Sequence, residues 1–433
     1  MPATSASEQL YRFQNPAKVT SGTGALEHLP VELGAYDAVR PLVITLRQPG
    51  FRGRLRRLLR AFRDSRMSLV VYDRLKEDAD LDDLKTLAGY YRETGCDALV
   101  ALGQGGLMHL AKALRTLTQI DAEDVEEIRD LPDPNLLGSP TLAPLFWLPT
   151  GPGTGDEMGG TLELGGNSLE HPSLRPQLAC VDTRLLDPGD HGRILNGALT
   201  ALVNAVEVCL DHGENPFATV YAEAAIKLIA ETLTPEGLEA KPATILMALT
   251  NAAVWAGCAR EMQPPGLAHR LGRALAERVP HGAGVCMGLC LPAVVDKALQ
   301  GRPRLSAELL HVLGGEELYS LTVAELRKPK CVNLLREGWH ALHQAWPDEV
   351  PAGLRETGIA RDQLAAVARA ADPRHHNTAR TCLEGSWDPV PPLELQALPA
   401  DSGAGAHGLG TDTETDTDTH DDGGAQDAPA ELL

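Results

Sequence analysis

Short apolar runs alternate with amphipathic stretches through the first half of the chain. Four of these runs predict buried strands: PLVITL at 41–46, SLVVY at 68–72, DALVAL at 97–102 and PLFWLP at 144–149. The intervening segments space their apolar residues as helices do, near 52–64, 82–94 and 107–116. Strands that alternate with helices are typical of parallel βαβ units. We therefore predict an α/β domain with a parallel sheet over residues 1–188.

The pattern changes after about residue 190, where long stretches rich in Ala and Leu follow one another. Helical periodicity covers 193–210, 217–233, 242–259, 266–278, 285–300, 304–313, 321–345 and 361–371. Runs of β-branched residues are scarce in this half. The pattern predicts a separate all-helical domain over residues 189–398.

Residues 399–433 contain too little apolar material to fold. Nine acidic residues and no Lys or Arg lie between 401 and 433, with TDTETDTDTHDD at the centre, so we predict a disordered acidic tail. The whole chain has a formal net charge of −20. Because such a charge repels phosphate backbones, we expect no nucleic-acid partner.

Cysteine usage and hydropathy bear on the cellular compartment. Eight cysteines are spread along the chain without close pairing, which is typical of buried free thiols in a reducing environment. The first 18 residues lack the charged start and apolar run of a signal peptide. The longest uncharged run, Pro242 to Ala259, contains three polar residues and predicts a buried helix. We expect a cytoplasmic protein with no membrane partner.

Two glycine-rich loops follow predicted strands. Gly103-Gln104-Gly105-Gly106 comes directly after DALVAL, and PTGPGTGDE at 149–157 overlaps the end of PLFWLP. Backbone amides in such a turn, together with a helix N-terminus, can bind phosphate, although many such turns only permit tight backbone geometry. The carboxyl ends of parallel strands lie at one edge of a sheet. We therefore expect both loops to meet at a single crevice.

These motifs, in this order, resemble those of the iron-containing alcohol dehydrogenases, a group that includes maleylacetate reductases and glycerol dehydrogenases. GQGGLMHLAK is similar to the family loop G-G-G-S-x-x-D-x-A-K, and PTGPGTGDE is similar to P-T-T-x-G-T-G-S-E. Downstream, NAVEVCLDHGENP and GLAHRLGRALAERVPHG resemble the segments that carry metal ligands. The resemblance spans Phe13 to Arg380. It implies an NAD(P)-dependent homodimer that acts on a small-molecule alcohol, aldehyde or ketone.

The resemblance also implies which residues bind the cofactor: Arg47, Gly103, Gln104, Gly105, Gly106, His109, Thr150, Gly151 and Thr154. The loops depart from the family pattern at five positions: Gln104, Gly106, His109, Gly151 and Asp156. Arg47 follows the first predicted strand, where many members carry an acid that accepts ribose hydroxyls. An arginine there can bind a 2′-phosphate, which favours NADP over NAD; a solvent-exposed arginine at a strand end is the alternative.

The metal site shows the largest departure. Metal-dependent members hold Fe²⁺ or Zn²⁺ with one Asp and three His, and the corresponding positions here are Thr200, Asn204, Pro265 and His281. Thr, Asn and Pro do not replace carboxylate or imidazole ligands at a transition metal. We predict that the family's metal site is lost and that neither Fe nor Zn is bound.

His269 and His281 are the predicted catalytic residues. In the functional interpretation His269 donates the proton and His281 stabilises the oxyanion when a carbonyl accepts hydride. The alternative is a pair of hydrogen-bonded histidines between helices. The leading hypothesis is a metal-independent oxidoreductase similar to the maleylacetate reductases. The second is a non-catalytic paralogue that keeps the scaffold as a binding or partner subunit.

Overall fold

The computed structural model describes residues 17–47, 50–76, 79–120, 142–165, 167–211, 215–240, 242–261, 263–389 and 392. The strands are β1 (Lys18–Ser21), β2 (Pro41–Leu46), β3 (Val70–Leu75), β4 (Ala98–Leu102), β5 (Leu145–Leu148), β6 (Thr161–Leu164), β7 (Asn167–Glu170) and β8 (Leu178–Val181). The first four helices are α1 (Leu29–Gly34), α2 (Phe51–Ala61), α3 (Leu81–Thr94) and α4 (Gly106–Ile120).

In the described part of the second half, the helices follow one another without an intervening strand. They are α5 (His191–Leu210), α6 (Pro216–Thr232), α7 (Pro235–Ala240), α8 (Pro242–Arg260), α9 (Leu267–Ala276), α10 (Ala283–Ala298), α11 (Pro303–Leu321), α12 (Ala324–Ala345), α13 (Leu364–Ala371) and α14 (His376–Gly385).

Six strands form one parallel sheet in the order β1-β8-β5-β4-β2-β3. Every residue of β2, β4 and β5 is buried, as expected for a parallel sheet covered on both faces. β4 and β5 are neighbours in register, so the loops that follow them leave the sheet side by side. The predicted fold class is confirmed: an α/β region with a parallel sheet is followed by a helical region.

Four strands were not among the sequence predictions. β1 lies at the sheet edge and is mostly exposed, β8 is a buried run of only four residues, and β6 and β7 form an antiparallel hairpin outside the main sheet. The hairpin packs on α4. It matters for the site because it carries the half-buried carboxylate of Glu163.

Helix α8 ties the helical region to the sheet. It contains the uncharged run Pro242–Ala259, which is helical as predicted. Leu246 and Leu249 pack among the other helices, whereas Val254 and Cys258 belong to the apolar core of the sheet region. Arg260, the last residue of α8, is therefore held where the two regions meet.

Helix α5 is long and apolar enough to cross a membrane by length and composition. However, 78% of its apolar window is buried within the fold, and it packs against α6, α8 and α10. Its composition is explained by its central position among the helices.

The predicted domain boundaries stay predictions. The main sheet ends at Val181 and the helices begin at His191, while the described residues up to 389 belong to one compact unit. The predicted acidic tail, 399–433, lies outside the described residues.

Candidate active site

The turn after β4 contains two glycines with positive φ. Gly103 has a φ of 152° and Gly105 a φ of 61°, values that residues with a Cβ rarely adopt. A Cβ at Gly103 would also lie 2.6 Å from a methyl group of Leu107. These glycines let the chain pass directly from β4 into α4, which begins at Gly106.

The side chain of Glu157 joins this turn to the loop after β5. Its carboxylate accepts hydrogen bonds from the backbone amides of Gly105 (2.9 Å), Thr154 (3.3 Å) and Gly155 (2.9 Å). It also accepts one from the Thr154 hydroxyl, at 3.2 Å. The two loops therefore meet, as expected. The Gly105 amide and the Thr154 hydroxyl, both predicted to serve the cofactor, have an internal partner in this structure.

Gln104 and Gly151 face each other between these loops. A Cβ at Gly151 would lie 3.2 Å from Gln104 Oε1. That oxygen is buried and has no hydrogen-bond partner among the described residues. The side chain of Gln104 occupies space that a threonine at position 151 would need. The two departures from the family pattern therefore match each other sterically.

The loop after β5 is also held against the helical region. A Cβ at Gly197, on α5, would collide with the carbonyl oxygen of Pro152. The glycine therefore lets the backbone of the loop after β5 lie directly against α5. The carbonyl of Thr150 accepts a hydrogen bond from the Asp187 amide at 2.8 Å, and Thr150 itself is buried. The predicted cofactor loop thus has a defined position.

Lys112, on α4, is hydrogen-bonded to the segment that follows β5. Its Nζ donates to the carbonyls of Asp156 (2.9 Å), Gly159 (2.8 Å) and Thr161 (2.9 Å). The side chain is completely buried, and burial lowers the pKa of Lys112 to about 8. The lysine that matches the family loop is therefore a support for three carbonyls.

Asp156 forms a buried ion pair with Arg260, with 2.5 Å between Oδ1 and Nη1. Burial alone raises the pKa of Asp156, but the positive charge of Arg260, with smaller contributions from His269 and His109, holds it below its usual range. Nothing in the sequence pattern marks Arg260 as a partner, because the two residues are 104 positions apart. Its only signal is a cation at the end of an apolar helix.

His269, on α9, is 1% exposed and is oriented by Asn204 of α5. His269 Nδ1 lies 2.8 Å from Asn204 Oδ1, and Asn204 Nδ2 donates to the Thr154 carbonyl at 3.0 Å. Because the amide nitrogen serves Thr154, the amide oxygen accepts the proton on His269 Nδ1. A side chain at a predicted metal-ligand position thus connects the imidazole to the predicted cofactor loop.

The other ring nitrogen, His269 Nε2, is buried and has no partner among the described residues. Burial, with a smaller contribution from Arg260, lowers the pKa of His269 to about 4. The ring is therefore neutral at neutral pH, and Nε2 presents a lone pair.

Glu207, one turn after Asn204, orders the start of α9. Its Oε1 accepts hydrogen bonds from the amides of Ala268 (2.5 Å) and His269 (3.3 Å). Burial raises the pKa of Glu207 to about 7. This carboxyl group was not among the predicted site residues, yet it fixes the backbone that carries His269.

Thr200 and Pro265, at two other positions that the sequence resemblance assigns to metal ligands, also have hydrogen-bond partners. The Thr200 hydroxyl donates to the carbonyl one turn earlier, at 2.8 Å. Pro265 offers only its carbonyl, which accepts from Arg270 Nη1 at 2.6 Å. Over the described part of the chain, no three His, Cys, Asp or Glu side chains form a cluster that could hold a metal ion. These donors do not fit Fe²⁺ or Zn²⁺.

His281 lies in the loop before α10 and is partly buried. Within the described residues its ring has no hydrogen bond, and its carbonyl receives only a long contact from the Cys286 thiol, at 3.9 Å. The structure thus gathers Thr154, Asn204 and His269 with the Asp156–Arg260 pair, but gives no contact from His281 to them. The oxyanion role of His281 stays a prediction.

His109 links α4 to the β6–β7 hairpin. Its Nδ1 accepts a hydrogen bond from the Glu163 amide at 3.1 Å, and burial lowers the pKa of His109 to about 4. The Glu163 carboxylate forms a bidentate pair with Arg273 of α9, at 2.7 and 2.5 Å. Whether His109 also contacts a cofactor stays a prediction.

A cavity of about 660 Å³ lies at the carboxyl ends of β2 and β3. Its lining includes the predicted Arg47, two further cations, Arg52 and Arg74, and the acid Asp73. Leu46, Phe51 and Leu55 supply apolar surface. Three arginines in one lining can bind an anionic group.

Family comparison resolves the identity of the scaffold. The family described as iron-containing alcohol dehydrogenase matches residues 16–183, and its C-terminal domain matches residues 194–383. The chain belongs to the iron-containing alcohol dehydrogenase family. The resemblance drawn from the loop motifs is confirmed, and the family is one of oxidoreductases.

Individual relatives are distant in sequence. The choline dehydrogenase of Bacillus subtilis (strain 168) is 22% identical over 88% of this chain and 94% of that protein. The maleylacetate reductase of Rhizobium sp. strain MTP-10005 gives a TM-score of 0.68 at 20% identity, over 89% of this chain and 99% of that one. A sulfoacetaldehyde reductase from Bifidobacterium kashiwanohense, solved with NAD⁺, gives 0.72 at 18% identity, over 87% and 99%. At these identities the structures show a shared fold.

Proposed function

We propose that this protein interconverts an alcohol and a carbonyl compound with NAD(P) and without a metal ion. One observation carries the proposal: the Asn204 amide hydrogen-bonds both the buried imidazole of His269 and the Thr154 carbonyl, while His269 Nε2 has no partner among the described residues. An oriented imidazole with a free nitrogen, beside the predicted cofactor loop, can handle the proton of an alcohol–carbonyl pair.

The nicotinamide, when bound, supplies hydride to the carbonyl carbon or accepts it from the alcohol carbon. Neutral His269 accepts the hydroxyl proton at Nε2 during alcohol oxidation, and the protonated ring returns it to the alkoxide oxygen during reduction. A pKa of about 4 makes the protonated ring a strong donor and the neutral ring a weak acceptor. At neutral pH the ring is almost entirely neutral, so it is ready to accept a proton in alcohol oxidation, whereas carbonyl reduction uses the small protonated fraction. Stabilisation of the oxyanion by His281 is part of the same proposal.

The cofactor is proposed to be NADP. The turn at 103–106 would hold the pyrophosphate at the start of α4. Arg47 and Arg74 would bind the 2′-phosphate in the cavity beside β2 and β3. Asp73, in the same lining, is the residue that would instead accept ribose hydroxyls of NAD.

Carbonyl-dependent oxidation of NADPH by the chelator-treated full chain tests the proposal, with metal content measured by mass spectrometry. We expect turnover without metal and no stimulation by added Fe²⁺ or Zn²⁺. His269→Gln should lower kcat about 100-fold, whereas His28→Gln, at an exposed position, should leave it unchanged. Turnover that appears only with metal would overturn metal independence.

The non-catalytic alternative has one supporting observation. Gln104 stands in place of a turn glycine and fills space beside Gly151, which narrows the predicted cofactor crevice. A fluorescence titration with NADPH and NADH distinguishes the two hypotheses. Failure to observe saturable binding of either nucleotide would favour the non-catalytic scaffold.

The homodimer, the cytoplasmic location and the absence of nucleic-acid and membrane partners stay predictions from the sequence. Light scattering on the purified chain tests the first of these. The expected mass is twice the 46.2 kDa of the monomer.

A further inference from the structure

A cavity of about 320 Å³ lies among the helices of the second half of the chain. Its lining is mainly apolar and comes largely from α5, α6, α10 and α12. Apolar side chains in the lining include Leu199, Leu202, Ile229, Leu313, Leu334 and Trp339. Asn204, which contacts His269, comes two residues after Leu202 and therefore projects from nearly the opposite side of α5. The cavity is thus separate from the proposed active site.

A glycine lies at the centre of the α12 face that borders this cavity. Gly338 is surrounded on that face by Leu334, Leu335, Ala341 and Leu342, which also line the cavity. A Cβ at Gly338 would contact no side chain, and no backbone outside α12, within 4 Å. The residue is exposed and its backbone is helical, so no turn requires a glycine here. Its missing side chain leaves an entry to the cavity from solvent.

The lining also contains a hydrogen-bond acceptor. Pro292, inside α10, has no N–H and cannot donate the helical hydrogen bond to the carbonyl of Gly288, four residues earlier. Both residues line the cavity, so the Gly288 carbonyl lies beside it. A backbone carbonyl that lacks its helical partner is satisfied by another hydrogen-bond donor.

Trp339 forms a fixed part of the wall. Its Nε1 donates to the Pro351 carbonyl at 3.0 Å, and its ring lies so close to α10 that a Cβ at Gly288 would be 2.8 Å from Trp339 Cζ3. Among the described residues of the lining, Glu236 alone carries a charge, and it is exposed. An anion would meet a like charge and no cation. The lining therefore favours an uncharged ligand with an apolar body.

The volume of the cavity limits the size of that ligand. An apolar cavity of about 150 Å³ is large enough to hold benzene. A cavity of about 320 Å³ accommodates an aliphatic chain of roughly six to nine carbon atoms.

We propose that this cavity binds an uncharged aliphatic alcohol of roughly six to nine carbon atoms, with its chain among the leucines and its hydroxyl donating to the Gly288 carbonyl. Binding here does not require the proposed oxidoreductase activity, because the cavity lies on the other side of α5 from His269. The bound alcohol is a ligand of the helical region and undergoes no reaction there.

Two isomers test the ligand class with the full chain in the absence of nucleotide. 1-Heptanol and 1-methoxyhexane have the same composition, but only the alcohol has a hydroxyl group that can donate. By calorimetry we expect saturable binding of 1-heptanol, about tenfold tighter than that of 1-methoxyhexane, and no binding of heptanoate. Absence of saturable binding of 1-heptanol, or tighter binding of heptanoate, would overturn the proposal. Equal affinity for the two isomers would overturn the contact with the carbonyl.

A substitution at the entry locates the bound alcohol. Gly338→Leu places a side chain in the cavity and should weaken binding of 1-heptanol at least about tenfold. Gly53→Leu adds the same side chain inside α2, where a Cβ also has no neighbour within 4 Å, and should leave the affinity unchanged. Circular dichroism checks that both variants fold. Unchanged binding of 1-heptanol in Gly338→Leu, or equal losses in both variants, would mean that the alcohol binds elsewhere.

A second substitution tests the role of the carbonyl. Pro292→Ala restores an N–H that can donate to Gly288, so the preference for 1-heptanol over 1-methoxyhexane should fall below about twofold while the ether binds as in the wild type. A preference that stays at about tenfold would overturn the hydroxyl contact.

Light scattering distinguishes the alcohol from a second copy of the chain as the occupant of the cavity. We expect the mass of Gly338→Leu in solution to equal that of the wild type. A wild-type dimer that dissociates in Gly338→Leu would mean that a second copy covers the cavity, and would overturn the proposal.

Discussion

The carboxylate of Asp156 and the guanidinium of Arg260 form a buried pair across the junction of the sheet and helical regions, with 2.5 Å between Oδ1 and Nη1. The family pattern has a serine at the first of these positions. The extra negative charge near the cofactor loop therefore comes with its own counter-ion. The pair explains how a carboxylate can stand in this loop without facing the crevice uncompensated.

Removing one member of this pair should be costly. Asp156→Ser leaves Arg260 unpaired in a largely buried site, where 16% of its side chain is exposed, and we expect the free energy of unfolding to fall by about 2–3 kcal/mol. Urea denaturation measures it. Glu308→Ser breaks the exposed Arg304–Glu308 pair and should cost less than about 1 kcal/mol. Equal losses of unfolding free energy in Asp156→Ser and Glu308→Ser would mean that burial does not set the energetic importance of the Asp156–Arg260 pair. Asp156→Ser/Arg260→Met should recover most of the loss.

His269 should make the fold sensitive to acid. Above its ordinary pKa of about 6.5 the ring is neutral in both folded and unfolded chains. Between pH 6.5 and 4 the unfolded chain takes up a proton that the folded chain does not, because burial, with Arg260 and Arg273, lowers the pKa of His269 against the opposing charges of Asp156 and Glu163. Stability is therefore lost as the pH falls, by about 3 kcal/mol over this interval.

Comparison of unfolding curves at pH 7 and 4.5 measures the contribution. His269→Gln should lose less stability than the wild type over this range, while His28→Gln, at an exposed position, should follow the wild type. His109 has a similar pKa but is present in both proteins, so its contribution cancels. A His269→Gln curve parallel to that of the wild type would contradict a strongly lowered pKa for this ring.

Gly197 should be intolerant of any side chain. A Cβ there would collide with the Pro152 carbonyl and displace the loop after β5 from α5. We expect Gly197→Ala to lower the unfolding free energy by about 1–3 kcal/mol and to weaken NADPH binding. A Cβ at Gly53, inside α2, would have no heavy atom of another element within 4 Å, so Gly53→Ala should be neutral or stabilising by up to about 1 kcal/mol. Differential scanning fluorimetry compares the two.

The strands that the sequence pattern predicted are those with continuous apolar runs. β2, β4 and β5 are buried on both faces, so their hydrophobic pattern is unmistakable. β1 is an edge strand with mostly exposed residues, and β8 has only four residues. In both, pairing with neighbouring strands outweighs a weak local signal. Most helices of the second half were predictable because they repeat their apolar positions over several turns. The six-residue α7 and the last helix, α14, were not predicted.

The site was only partly predictable for a related reason. Gly103 and Gly105 are recognisable because a sharp strand-to-helix turn demands positive φ nearby in sequence. The roles of Asn204 and Arg260 depend on partners 50 or more positions away. The sequence predicts that Asn204 replaces a metal ligand, but only the fold reveals that its amide contacts His269. A long-range polar contact leaves no periodic trace in a single sequence.

Arg47 should influence the choice of nucleotide. If it binds the 2′-phosphate, Arg47→Ala should raise KM for NADPH about tenfold, the loss of one charged contact worth about 1–2 kcal/mol, and leave KM for NADH near wild type. Arg60→Ala, at an exposed position on α2 and outside the lining of that cavity, is the control. An equal rise in KM for NADPH and NADH would mean that Arg47 does not distinguish the two nucleotides.

Asn204 is expected to act as a positioning residue for His269. Asn204→Ala removes the acceptor for His269 Nδ1 and the donor to the Thr154 carbonyl, so the imidazole loses its orientation. We expect kcat to fall about 10–100-fold while KM for NADPH changes less than about threefold. Asn204→Asp keeps an acceptor for Nδ1 and adds a negative charge, so it should recover part of kcat and move the pH profile upward by raising the pKa of His269. If Asn204 only supports the fold, both variants should lose kcat to the same extent and the pH profile of kcat should not move. Neither the orientation nor the proton affinity of the imidazole would then limit turnover.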